Sequence, residues 1–224
     1  MTTGAVTAER RPLAALDWPI PIAFAIGSAL FALGSVPYYA QAVGAAATGV
    51  TYFVGSLFFT SAALMQYLQA VDALHPVRRF WVWGGRDLDW IAAAVQLAGT
   101  LWFNWSTGNA MRTNLGAATA DQRVWRPDAL GSLAFLLASG VAWWAVRADG
   151  PRSRGSHLPW WIAAANVVGS IAFGVSAAAA YIVPATGDVW HDALANLGTL
   201  VGAICFFIGA VLLMPPWSAA PQTE

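Results

Sequence analysis

Six apolar stretches run through the chain, at roughly 18–38, 48–72, 89–108, 128–147, 159–183 and 190–214. A helix needs about 20 mostly apolar residues to cross the hydrocarbon core of a bilayer. None of the six carries Lys, Arg or Glu in its middle. Trp18, Trp90, Trp143, Trp144, Trp160, Trp161 and Trp190 stand at or near their ends, where indole rings favour the membrane–water interface. The pattern predicts an all-α polytopic membrane protein. It has six transmembrane helices in three hairpin-like repeats over 18–214, with tails at 1–17 and 215–224.

Charge placement gives that bundle an orientation. All eleven cations are Arg. Arg10, Arg11, Arg78, Arg79, Arg86, Arg147, Arg152 and Arg154 fall on one side, and Arg112, Arg123 and Arg126 on the other. Positive residues favour the cytoplasm, so both termini are expected inside a bacterial plasma membrane. The first stretch starts after Arg10-Arg11 and ends near Ala40-Gln41-Ala42, as a signal peptide does. It exceeds the usual apolar core of about 7–15 residues and reads as a retained helix.

Composition agrees. Hydrophobic residues make up 58% of the 224 and charged ones 10%, against about 25% charged in soluble domains. A neutral, Lys-free chain offers no basic face to nucleic acid. Cys205 is the only cysteine and lies in an apolar run; it reads as a small hydrophobe.

Every stretch contains Gly followed by Ser or Thr: Gly27-Ser28, Gly55-Ser56, Gly99-Thr100, Gly131-Ser132, Gly169-Ser170 and Gly198-Thr199. In the first five a Phe follows four residues after the Gly, at Phe31, Phe59, Phe103, Phe135 and Phe173; in the sixth that place is Gly202. Lipid tails are as apolar as Leu, so close backbone approach at small residues holds membrane helices together. These glycines are expected to form a packing seam, with a hydroxyl-lined pore as the alternative. The runs Phe24–Phe31 and Phe53–Phe59 resemble the helical hairpin of YrhK-like bacterial membrane proteins. The segments 166–170 and 202–209 look like a second copy, and the middle hairpin departs with a long outer loop. That resemblance implies the fold and supplies no catalytic residue.

The ionisable set within the stretches is nearly empty. A retinal Schiff base needs a Lys, and haem ligation needs facing His residues. Neither is present: His75, His157 and His191 all sit at stretch ends. Asn104, Asn166 and Asn196 lie deep enough to need partners, expected across helices, with a ligand site as the alternative. Gln66, Gln69 and Gln96 lie toward the inner halves. The inner segment Arg78-Arg79-Phe80-Trp81-Val82-Trp83 reads as an interfacial element beside anionic headgroups.

The outer loop 109–127 ends in Arg123-Val124-Trp125-Arg126-Pro127-Asp128. Arg123 and Arg126 are three apart, and Asp188 and Asp192 four apart, so on α-helical turns each pair shares a face. They are expected to close into a lid network, or to hold an anion or headgroup together with His191. No metal or cofactor site is expected. The expected function is a non-catalytic bundle binding membrane lipid, a partner membrane protein or a second copy. A channel for a neutral solute or ion is the alternative, and an enzyme at the outer loop a weaker one.

Overall fold

The computed structural model describes residues 14–74, 83–148 and 157–215. The described chain is all-helical, with a lone β-bridge between Ile182 and Val189. Its helices are α1 (Pro19–Gly34), α2 (Pro37–Val43), α3 (Ala45–Leu74), α4 (Leu88–Ala110), α5 (Ala117–Ala120), α6 (Arg126–Ala148), α7 (Leu158–Ala179) and α8 (Asp192–Leu213). Residues Asp121–Trp125 form a π-helical turn that joins α5 to α6.

Local chemistry sets the ends. Pro19 opens α1, where its missing N–H costs nothing. The α1 helix stops where Ser35 Oγ donates to the Phe31 carbonyl at 2.7 Å. Val36, restricted by the following proline, turns extended, and Pro37 starts α2 at 79° to α1. The first predicted stretch is therefore broken rather than continuous to residue 38. Asp87 caps α4 by accepting the Trp90 N–H at 2.7 Å. The fifth stretch ends at Ala179 rather than 183, because Tyr181–Trp190 folds into a tight turn with Gly187 at φ +77°.

Helices α3, α7, α8 and the continuous 117–148 helix are long and apolar enough to cross a membrane; α1 with α2 would be a fifth, bent one. The α4 helix has the length, but Gln96, Asn104, Asn109 and three Trp lower its hydropathy. Four or five of the six expected spans thus meet the criterion.

The six long helices close a ring. α1 packs on α3, α4 on α6 and α7 on α8, and neighbouring pairs meet at α3–α4, α6–α7 and α8–α1. Each pair is antiparallel: Phe24 meets Phe59 where Phe31 meets Tyr52. The ring surrounds an axis filled with aromatic side chains.

Candidate functional site

The centre of the bundle is built from one repeated crossing. A methyl on Gly27 would stand 3.0 Å from the Gly55 carbonyl oxygen, and one on Gly55 3.2 Å from that of Gly27. Gly99 and Gly131 meet in the same reciprocal way at 3.2 and 3.1 Å, as do Gly169 and Gly202 at 3.1 and 2.9 Å. A side chain at any of these six glycines would require the facing helix or its Phe ring to give way, so the glycines bring the paired backbones close together. The register of the sixth copy is corrected. The residue that crosses Gly169 is Gly202, followed by Ala203 and, four residues on, Phe206. Gly198 packs one turn earlier, where a methyl would stand 2.8 Å from the Ala172 carbonyl oxygen.

The six Phe residues complete the core. Phe31, Phe103 and Phe173 form one triangle, with ring centroids 6.0–6.4 Å apart. Phe59, Phe135 and Phe206 form another at 5.6–6.1 Å. Each pair of helices supplies one edge between triangles, at 5.5, 5.1 and 5.3 Å. The result is a trigonal prism of rings, mostly edge-to-face, the arrangement that ring quadrupoles favour. It fills the axis where the hydroxyl-lined pore alternative would need an opening.

The hydroxyls after the glycines sit between pairs. Ser28, Ser56, Thr100 and Ser170 are fully buried. Ser170 Oγ donates to the Phe135 carbonyl at 3.1 Å, and Ser56 Oγ shares a hydrogen bond with Thr107 at 3.0 Å. Thr100 bonds back to the Leu97 carbonyl, and Ser28 Oγ has no hydrogen-bond partner.

Of the three Asn residues, none makes the expected interhelical bond. Asn196 donates within α8 to Asp192 at 3.3 Å. Asn104 Oδ1 is buried with no partner. Asn166 faces Gly209 of α8 and lines a cavity of about 80 Å³ with Gln66 and Gln96. Gln96 Nε2 donates to Gln66 Oε1 at 3.5 Å, a long contact. Gln69 instead donates to Asp17.

The rim formed by 109–127 and 181–192 departs from the expected lid. Arg126 Nε pairs with Asp121 at 2.8 Å, and neither Asp188 nor Asp192 reaches either Arg. The reason is the π-helical turn: its hydrogen bonds run from i to i+5, so residues 121 and 126 stack while 123 and 126 do not. Asp192 is taken by Asn196. His191 caps α8, its Nδ1 accepting the Leu194 N–H at 3.2 Å, and Asp188 lies in the Gly187 turn. The π turn is held by Ser106 Oγ on the Val124 carbonyl and by Trp125 Nε1 on the Ala177 carbonyl, both at 2.8 Å. The Arg126 side chain is 61% exposed, so Arg126→Ala should cost less than about 1 kcal/mol in a melting experiment. Its loss should add fully to that of Asp192→Ala and less than fully to that of Asp121→Ala.

At the opposite end Trp143, Trp160 and Trp161 stack in series at 5.3 and 4.6 Å, with Arg147 5.1 Å above the Trp143 ring. Of the inner segment 78–83, only Trp83 falls among the described residues; it packs on Trp90 at 5.4 Å. Among the described residues no three His, Cys, Asp or Glu side chains gather as a metal-ligating group. No family model, curated protein or solved structure matches the chain.

Proposed function

We propose that the protein is an integral membrane protein of the bacterial plasma membrane, with six spans in three hairpin repeats and both termini in the cytoplasm. Its role in this reading is non-catalytic: a rigid bundle that binds lipid around its girth and docks a partner membrane protein or a second copy. One observation carries it. The distribution of side chains is inverted relative to a water-soluble domain. Leu101, Leu133, Leu137, Ile171 and Leu197 are each at least half exposed, while Ser28, Ser56, Thr100 and Ser170 are sealed inside. In water large aliphatics are the residues most often buried and Ser mostly exposed. Hydrocarbon outside the bundle removes that penalty and leaves close packing as the selecting force.

Further support comes from the repeated crossings, which relate α1–α3, α4–α6 and α7–α8 by one pattern. The same pattern underlies the likeness to YrhK-like proteins. The Trp143–Trp160–Trp161 cluster with Arg147 suits the headgroup region, where indoles and Arg side by side meet both phases. The packed-bundle reading ranks above a channel because an axial path would have to displace six phenyl rings.

Topology is the test. In a Cys205→Ala background, Ala118→Cys should react with a membrane-impermeant maleimide on intact cells. Ala219→Cys should react only after the membrane is opened. Labelling of both from the same side would refute the six-span reading.

A further inference from the structure

The threefold pattern makes departures from it visible, and three of them coincide. Three residues before the crossing glycine, the first helix of each pair carries Phe24, Gln96 or Asn166. Seven residues after it, the second helix carries Ala62, Ala138 or Gly209. In the first pair the ring of Phe24 and the methyl of Ala62 fill this level, with exposures of 9% and 0%. Around α8 the methyl is missing, and the ring is replaced by amides on α4 and α7. These substitutions, with Gln66 from α3, open the cavity of about 80 Å³ just inside the Phe prism, against Phe206.

Space and chemistry there agree. Gln96 and Asn166 each lie eight residues from the inner start of their helices, about 12 Å along the axis. Three carboxamides at that depth carry three acceptors and three NH2 donors. Between them the structure shows one hydrogen bond, at 3.5 Å. The three amides are half-buried, so a guest that donates and accepts in this partly screened pocket gains hydrogen bonds that the amides do not make to one another. No charged side chain lines the cavity, so an ion would meet no countercharge. The volume equals about two or three waters at 30 Å³ each.

We infer that this cavity is a binding site for a small neutral solute that both donates and accepts hydrogen bonds, of the carboxamide or urea class. The inference goes beyond the membrane-bundle reading. That reading rests on the outer surface and stands whether or not the cavity binds.

Acetamide is a suitable probe, titrated into the full chain in lipid nanodiscs while side-chain amide resonances are followed by NMR. The side-chain amides of Asn166 and Gln96 should shift saturably. That of Asn109, which donates to the Trp105 carbonyl at the far end of α4, should drift without saturating. Gly209→Ala places a methyl 2.8 Å from Asn166 Oδ1 and should weaken binding at least tenfold. Gln96→Leu should do the same without crowding α8, and decides the matter if Gly209→Ala fails to fold. Non-saturating shifts, equal affinity in a folded variant, or contacts from water alone at both amides would overturn the inference.

Discussion

Gly55→Leu and Gly169→Leu should each unfold a large share of the protein under conditions where the wild type is intact. At Gly55 the new side chain would start 2.9 Å from the Phe31 ring and 3.2 Å from the Gly27 carbonyl oxygen. At Gly169 it would start 3.1 Å from Cys205, the Gly202 carbonyl oxygen and Phe206 alike. A ring can rotate, but a backbone carbonyl moves only with its whole helix. Overpacking a core typically costs about 1–3 kcal/mol, and separating a helix pair puts these variants at or above the top of that range. Melting in detergent, followed by Trp fluorescence, measures the loss. Gly140 and Gly174 are the controls, since a methyl there meets nothing within 4 Å. Gly140→Ala should leave stability unchanged or raise it by up to about 1 kcal/mol, from helix propensity alone. Ser56→Ala should cost less than about 1 kcal/mol, the usual range for one hydrogen bond between membrane helices. Unchanged melting in both Leu variants would remove the seam from the account of the fold.

Phe135→Ala should be the most damaging truncation. Its ring is 2% exposed and touches Phe59, Phe103 and Phe206, so it belongs to one triangle and to the edge joining the two. Deleting it leaves a void that the other five rings, fixed by the glycine crossings, cannot close. Phe→Ala in a core costs about 3–5 kcal/mol, much of it from the cavity rather than from transfer out of water. The cavity part survives in a membrane, because lost dispersion contacts do not depend on the solvent outside. Leu133→Ala on the same helix, 52% exposed, should change melting little. Equal losses at Phe135 and Leu133 would show that the prism is not the stabilising core.

Much of this arrangement is legible along the chain. The apolar stretches, the Trp at their ends and the Gly-Ser/Thr pairs with Phe four residues on are properties of single helices. Composition and helical period express such properties directly. Five of the six crossing glycines and five of the six prism rings follow from them, because a residue's position on its own helix decides whether it faces the axis. The sixth copy was obscured by Gly198-Thr199, which has the right pair of residues one turn too early. Only contact with Gly169 shows that Gly202 and Phe206 take those roles and that Ala203 replaces the hydroxyl.

The rim around Arg123 and Arg126 was out of reach for a different reason. Arg123 and Arg126 share a face on an α-helix, but the turn that holds them is π-helical. That turn is tied down by Ser106, which donates to a carbonyl on it, and by Trp125, which donates to a carbonyl on α7, partners up to 52 residues away. The amide cavity is of the same kind. Gln66, Gln96, Asn166 and Gly209 lie on four different helices, and no spacing along the chain relates them. Local periodicity determined which residues face inward. Which of them meet was decided by how the three helix pairs cross and close into a ring, since contacts between helices depend on crossing register and not on sequence neighbours.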